Sequence, residues 1–253
     1  MLRLTNAVWR RCLPILRRIH RLFFTHSILI HTPKCGGTYV NRQYSLHRRI
    51  RVTNLGHVRR PLNSEIGRAQ LVGMIRDPFD WYCSYHSFMR KSLSEEIQTK
   101  SNFPKSHPIA FFSKNGEREV NEMLRRMLET GKDVETSFGP AVIYAREIAG
   151  VFDFMARTGF GFWTWTMLYH FSEIGPNAIS NTDGVYVEAR RIASEVKFVH
   201  QESIDEDVGR YLGLRARAGA RVNVSQLTSV TDVEGQSLAR RLDGPVADIL
   251  FSR

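Results

Sequence analysis

The chain has 253 residues, of which 42% are apolar and 11% aromatic, and its formal net charge is +11. This length and apolar content suffice for one large globular domain and exclude a chain that is disordered throughout. The charge is unevenly distributed: residues 1–60 contain 13 Lys and Arg and no Asp or Glu, whereas the remainder contains 23 Lys and Arg and 25 Asp and Glu. The basic part either attracts a polyanionic ligand or forms a basic arm on an ordinary surface.

Residues 1–24 are a basic segment in which arginines repeatedly interrupt the apolar residues. No apolar run approaches the roughly 18 residues that a membrane-spanning helix needs, so we do not expect a membrane anchor. Trp9, Leu13 and Phe23 follow helical spacing, and such a helix either packs on the domain or makes weak contact with a membrane surface. The three cysteines have no metal-ligand spacing, which is typical of reduced thiols in a cytoplasmic protein.

Candidate strands alternate with candidate helices along the chain, a pattern that predicts a central parallel sheet in a three-layer α/β/α domain covering residues 1–253. The candidate strands are 27–31, 51–55, 71–76, 184–188 and 197–201. Helices are predicted at 79–89 and at 117–130, the second ending before Gly131, which favours a helix C-terminus. Residues 91–116 are the candidate for a mobile insertion.

The segment "HTPKCGGTYV", residues 31–40, follows the first strand and precedes a helix-compatible stretch. A strand, a glycine turn and a helix N-terminus together predict an anion site, because free main-chain N–H groups and the helix dipole point at one place. A phosphate is the expected ligand. The order differs from the nucleotide-binding loop G-x-x-x-x-G-K-[ST], since Lys34 precedes the glycines.

A second segment, "GMIRDPFDWYCSYHSF" at 73–88, places Arg76 at the carboxyl end of a strand, where open α/β sheets bind ligands. Asp77 is suited to cap a helix whose first residue is Pro78, and Ser84 lies about two turns later. Arg76 can bind a phosphate in bidentate fashion or pair with a carboxylate. Ser84 is either a ligand or an ordinary helix residue.

The pair of motifs, PKCGGT and then RDP with a serine eight residues beyond the arginine, resembles the sulfotransferases that use 3′-phosphoadenosine 5′-phosphosulfate (PAPS). It is most similar to the carbohydrate enzymes of the heparan 2-O type and their bacterial relatives, and "FVHQESIDEDVGRYLGL" and "VNVS" resemble later parts of that family more loosely. The resemblance implies a P-loop-like sulfotransferase fold. It implies a site for the 5′-phosphosulfate at Lys34, Cys35, Gly36, Gly37, Thr38 and Tyr39, and one for the 3′-phosphate at Arg76 and Ser84.

Within that resemblance Lys34 is expected to be catalytic, because a cation at the bridging oxygen stabilises the charge that appears there during sulfuryl transfer. His57 is expected to be the base that accepts the acceptor's proton, from its position between the two motifs and from a similarity to uronyl 2-O-sulfotransferases. Glu65 is the reserve base. His31 and His86 are better interpreted as structural or as phosphate neighbours. We expect no metal site.

The acceptor is expected to be a hydroxyl compound, with a saccharide favoured. The aromatic stretch 159–171 either stacks on a sugar or forms a helix core, and Arg48, Arg49, Arg59 and Arg60 either attract an acidic saccharide or are solvated. A cytoplasmic, bacterial enzyme is expected because the membrane anchor of the animal Golgi enzymes is missing. The alternatives are a P-loop-like kinase and a basic nucleic-acid-binding protein, although the chain has no recognisable nucleic-acid motif.

Overall fold

The structure is a computed structural model that describes residues 27–40, 52–56, 59–87, 120–130, 146–214 and 232–252. The chain divides into two compact units. Unit 1 comprises Met1–Ile75 and Glu195–Val222, and unit 2 comprises Arg76–Ser194 and Asn223–Arg253. This division describes how contacts cluster within the chain, and a single domain over 1–253 stays a prediction.

Unit 1 contains a four-stranded sheet. Its strands are β1 (Ser27–Ile30), β2 (Val52–Gly56), β3 (Gln70–Ile75) and β4 (Val196–His200). They lie in the order β2-β1-β3-β4, and every neighbouring pair is parallel. The α/β class and the parallel central sheet are therefore confirmed, in an arrangement compatible with three layers.

Strands β1 and β3 are almost continuously apolar, as expected for parallel strands that are covered on both faces. All four residues of β1 are buried, as are the last five of β3. In register, Ile28 of β1 lies opposite Thr53 on one side and Leu71 on the other. Four of the five predicted strands are confirmed to within one residue at either end.

Helices occupy much of the remaining described chain. They are α1 (37–40), α2 (Asn63–Ile66), α3 (78–87), α4 (Val120–Thr130), α5 (Arg146–Thr158), α6 (Phe162–Phe171), α7 (Thr182–Glu195), α8 (Ile204–Leu212) and α9 (Val233–Phe251). The predicted helices at 79–89 and 117–130 are confirmed where they are described. Gly131, the basic segment 1–24 and the insertion 91–116 lie outside the described residues.

The predicted strand at 184–188 is wrong, because these residues belong to α7. The buried positions of α7 are Val185, Glu188, Ala189 and Ile192, a spacing of three and four residues that places them on one helical face. The five-letter window "GVYVE" is too short to show this period, and its β-branched residues favoured a strand. Asn181 begins the helix by accepting a hydrogen bond from the Gly184 N–H at 2.9 Å.

The strand order fixes where a ligand site is expected in unit 1. The chain passes from β1 to β2 on one side and then to β3 on the other side of β1, so the direction of winding reverses between β1 and β3. In open parallel sheets such a reversal opens a crevice at the carboxyl ends of the strands, and ligands bind there. The loop that follows β1 begins at this place, and it contains Lys34.

Unit 2 is built on helices. Trp163 and Phe171 of α6 have no exposed surface, so the helix-core interpretation of the aromatic stretch 159–171 holds for these two residues. Trp165 on the same helix is only half-buried and stacks between Phe162 and Tyr169. None of the described helices is both long and apolar enough to cross a membrane.

Candidate functional site

The loop after β1 turns sharply before α1. The Cys35 N–H donates to the Thr32 carbonyl at 3.4 Å, and the Gly36 carbonyl then accepts from the N–H groups of Tyr39 at 3.0 Å and Val40 at 3.4 Å. Helix α1 therefore starts directly after Gly36, and its first N–H groups have no carbonyl within the helix to bond. This is the strand, turn and helix start that the sequence predicted for an anion site.

Lys34 has an unusual main-chain conformation. Its φ is 64°, in the left-handed region, and it is the only described residue other than glycine with a positive φ. This conformation costs a residue with a side chain about 1–2 kcal/mol relative to glycine. Such conformations cluster at functional sites, and a lysine at a position that suits glycine indicates that its side chain has a use.

Glycine is required at Gly36 by a positive φ and at Gly37 by a close contact. A Cβ on Gly36, whose φ is 83°, would lie 3.0 Å from Cδ1 of Ile204 at the start of α8. A Cβ on Gly37 would overlap the imidazole of His31, which is buried against it. His31 therefore packs on the start of α1, in agreement with a structural part for this histidine.

Two further members of the predicted 5′ site have side chains that face the interior. Cys35 has no exposed surface, so its thiol belongs to the core. The Tyr39 hydroxyl donates to Oδ1 of Asp205 and the ring is 5% exposed. Both residues can offer a ligand only their main chain, whereas the Thr38 side chain is exposed.

Two buried polar atoms beside the loop were not singled out from the sequence. Thr32 Oγ1 and Gln201 Oε1 have no hydrogen-bond partner within the described part of the chain. Gln201 follows β4, and its Cγ lies 3.9 Å from the place that a Cβ of Gly36 would occupy. A buried polar atom without a partner costs free energy and requires an explanation, and a bound ligand would supply the missing hydrogen bonds.

A histidine at the end of β4 and an aspartate in α8 form a second buried polar pair that no sequence motif indicated. Asp207 Oδ2 accepts hydrogen bonds of 2.9 Å from the His200 N–H, from His200 Nδ1 and from Ser203 Oγ. Burial alone would raise the pKa of Asp207, but these hydrogen bonds hold it below its ordinary value. An ionised carboxylate at Nδ1 fixes that nitrogen as the protonated one. The pair ties β4 to α8, and its seven-residue spacing across a strand end gives no recognisable motif.

Arg76 and Ser84 lie in unit 2, where they are 3% and 6% exposed. Strand β3 ends at Ile75, one residue earlier than predicted, so Arg76 is the first residue after the strand. Asp77 caps α3 as expected, since its Oδ1 accepts from the Asp80 N–H at 3.1 Å. Burial raises the pKa of Asp77 above its ordinary value. A phosphate that reached Arg76 and Ser84 would be almost fully desolvated, which strengthens charge-assisted hydrogen bonds.

The main chain of Arg76 is held by a buried network. Trp163 Nε1 donates to the Arg76 carbonyl at 3.1 Å, and the Trp163 N–H donates to the Tyr82 hydroxyl at 3.1 Å. That hydroxyl donates to Asp243 Oδ2 at 2.7 Å, while Asp243 Oδ1 accepts from the N–H groups at the start of α6. Burial raises the pKa of Asp243 to about 6, although these hydrogen bonds oppose the change.

The sequence also singled out His57, Glu65 and Arg60. His57 lies outside the described residues, so its part as the base stays a prediction. Glu65 caps α2, because its Oε2 accepts from the Leu62 N–H at 3.2 Å. Arg60 is neither solvated nor offered to a ligand: it is buried in an ion pair of 2.6 Å with Glu195. The described part of the chain contains no group of side chains that could hold a metal ion.

Comparison of the chain with protein-family models, curated proteins and solved structures found no match. The function of this protein is therefore inferred from the Lys34 loop, from the place of that loop at the carboxyl ends of the strands and from the sequence motifs.

Proposed function

We propose that this protein is a sulfotransferase that moves a sulfuryl group from PAPS to a hydroxyl acceptor, with a saccharide as the favoured class. The observation that carries the proposal is the left-handed conformation of Lys34, in a loop between β1 and α1 where the winding of the sheet reverses. The proposal includes a P-loop-like sulfotransferase fold, for which the parallel order β2-β1-β3-β4 is support.

The chemistry explains why a lysine is needed there. The acceptor oxygen attacks sulfur, the bond between sulfur and the bridging oxygen of the 5′-phosphate breaks, and the acceptor's proton passes to a base. Negative charge grows on the phosphate oxygen that leaves. Lys34 would stabilise this charge as it develops, which lowers the barrier because the interaction is stronger in the transition state than in the ground state.

The other end of the donor is assigned by the sequence resemblance. Arg76 would bind the 3′-phosphate in bidentate fashion and Ser84 would add a hydroxyl hydrogen bond. Their burial means that the phosphate can reach them only if the atoms that cover them move. His57 remains the proposed base. Glu65 is a weaker candidate for the base than His57, because its carboxylate accepts the hydrogen bond that caps α2.

Substitution of Lys34 by glycine tests the proposal, because it separates stability from activity. Glycine relieves the left-handed conformation, and its greater freedom in the unfolded chain offsets the gain, so Lys34→Gly should change the free energy of unfolding by less than about 1 kcal/mol. Turnover, measured as release of adenosine 3′,5′-bisphosphate from PAPS with a panel of saccharide acceptors, should fall by orders of magnitude.

Lys197 gives the matched control, since it is an exposed lysine on β4 of the same unit. Lys197→Ala removes the same charge from unit 1 and should leave turnover unchanged. Equal loss in both variants would mean that general charge, not the loop, is responsible. Full turnover in Lys34→Gly would remove Lys34 from the mechanism.

A chelator distinguishes this proposal from the kinase alternative. Kinases need a divalent ion to bridge the β- and γ-phosphates of ATP, whereas the proposed sulfuryl transfer depends on Lys34 and on main-chain N–H groups. Activity with PAPS should survive excess EDTA. Turnover of ATP that requires magnesium, with none from PAPS, would establish the kinase instead.

A further inference from the structure

Two hydrogen bonds fix the orientation of the Tyr82 hydroxyl. It accepts from the Trp163 N–H and donates to Asp243, so that its donor and one acceptor position are both used in a fully buried place. The close packing extends to Gly161, where a Cβ would lie 2.6 Å from both Asp243 Oδ2 and the Tyr82 hydroxyl oxygen. No side chain larger than that of glycine fits at that point without displacing the network.

Asp243 also fixes the start of α6. Its Oδ1 accepts from the Gly161 N–H at 3.1 Å and from the Thr164 N–H at 3.0 Å, so a carboxylate from α9 caps a helix whose N-cap, Gly161, lies 82 positions earlier in the chain. Trp163 lies in the first turn of that helix. Fixing the helix start therefore fixes the indole, and the indole holds the carbonyl of Arg76.

Arg76 is the single residue between the last residue of β3 and Asp77, the cap of α3. Its carbonyl belongs to the peptide unit that joins it to Asp77, so a hydrogen bond to this carbonyl restrains the direction in which the arginine side chain leaves the main chain. Bidentate recognition of a phosphate by a guanidinium tolerates little angular error.

We infer that Asp243, Tyr82 and Trp163 are positioning residues that hold the main chain of Arg76 in the orientation needed to select a 3′-phosphate. The inference rests on the proposed function, in which Arg76 binds that phosphate. None of the three needs to touch the nucleotide. Their effect is transmitted through the carbonyl of Arg76, in steps that each consist of one buried hydrogen bond.

The test measures selectivity and not stability. Dissociation constants for adenosine 3′,5′-bisphosphate and for adenosine 5′-monophosphate are determined by titration calorimetry, well below the melting temperature and without an acceptor. Their ratio reports the contribution of the 3′-phosphate. Arg76→Ala should reduce this ratio by about tenfold to a hundredfold, since it removes a charge-assisted contact. Trp163→Phe, which removes the indole donor together with part of the buried ring, should reduce it by about threefold to tenfold.

Trp165→Phe is the matched control. It makes the same chemical change on the same helix, and within the described part of the chain Trp165 Nε1 has no hydrogen-bond partner. A structural effect of losing an indole from α6 would appear in both variants as a lower melting temperature with an unchanged ratio. A reduced ratio in Trp163→Phe alone supports the inference.

Asp243→Asn provides a second, milder variant. The amide oxygen can still accept from the two N–H groups of α6, but the amide nitrogen cannot accept from the Tyr82 hydroxyl. The ratio should fall by about twofold to fivefold. Wild-type ratios in Trp163→Phe and Asp243→Asn, with a reduced ratio in Arg76→Ala, would overturn the inference alone. A wild-type protein that does not prefer the bisphosphate would overturn the proposed function and the inference with it.

Discussion

Asp207 in unit 1 and Asp243 in unit 2 are both completely buried, and each accepts three hydrogen bonds, yet their pKa values shift in opposite directions. The pKa of Asp207 is lowered, with His200 and Ser203 as donors. The pKa of Asp243 is raised to about 6. A lack of exposed surface therefore does not by itself decide the direction in which the pKa of a carboxylate shifts.

The difference lies in the surroundings of each carboxylate. Asp207 is in the first turn of α8, where the helix dipole favours negative charge, and one of its donors is an imidazole that can itself become charged. Asp243 is in the middle of α9, and its donors are two main-chain N–H groups and the Tyr82 hydroxyl. Asp243 is also enclosed more deeply by protein than Asp207, so at Asp243 the loss of hydration outweighs the hydrogen bonds and raises the pKa.

The largest effect is expected from Asp243→Ala. The change leaves the Tyr82 hydroxyl and the Thr164 N–H buried without an acceptor, and leaves the Gly161 N–H only the Leu242 carbonyl at 3.3 Å. It should lower the free energy of unfolding by about 3 kcal/mol. Urea denaturation at neutral pH measures it. Asp248→Ala, on an exposed part of the same helix, should stay within about 0.5 kcal/mol of the wild type. Similar losses from both would show that the buried network contributes nothing specific.

Asp207→Ala should have a smaller effect, about 2 kcal/mol, because Ser203 is partly exposed and water can replace the lost acceptor there. The same denaturation experiment applies, with the exposed Glu206→Ala as control. A loss larger than that of Asp243→Ala would contradict the order that we derive from burial.

The dependence of stability on pH should distinguish the two aspartates by its sign. Because the pKa of Asp243 is higher in the folded than in the unfolded chain, the folded state binds the proton more tightly between pH 4 and 6, and stability falls as the pH rises through this window. Asp207 has a lowered pKa, so its contribution is present above its ordinary pKa of 3.8 and is lost as the pH falls below it.

The measurement is the free energy of unfolding of the wild type minus that of each Asp→Asn variant, followed against pH. For Asp243→Asn this difference should decrease by about 1 kcal/mol from pH 5 to pH 7. For Asp207→Asn it should increase from pH 3 to pH 5. Two differences that change in the same direction would invalidate the comparison.

The smallest effect is expected from Ser203→Ala. It removes one of the three donors to Asp207 and should lower stability by about 0.5 kcal/mol. The acid limb of the stability curve should move to higher pH, because the carboxylate loses a hydrogen bond that lowers its pKa. An unmoved acid limb would show that the His200 contacts alone set the pKa of Asp207.

Local patterns explain which parts of the fold were predictable. Short apolar runs predicted four strands, and Asp77 followed by Pro78 predicted the start of α3, because these elements depend on neighbours in the sequence. The segment 184–188 failed for the opposite reason. Its helical period appears only when Ala189 and Ile192 are included, and both lie beyond the five-residue segment.

The candidate site divides in the same way. The turn of residues 31–38 was predictable, because glycines after a strand and before a helix have few structural uses. The left-handed conformation of Lys34 was not, since no residue type at that position signals a positive φ other than glycine. Thr32 and Gln201 were missed because an unpartnered polar atom can be recognised only when its surroundings are known.

The sequence by itself determined the parallel α/β class, the place of the Lys34 loop after β1 and the cap of α3, because periodicity, glycine spacing and capping act over a few residues. Only the tertiary structure decided which carboxylates are buried, that Tyr39 and Arg60 are engaged with Asp205 and Glu195, and that Trp163 holds the carbonyl of Arg76. Those contacts join residues between 87 and 166 positions apart. Their hydrogen bonds are favourable only after the surrounding apolar side chains have excluded water, and that exclusion is a property of the packed chain and of no short segment.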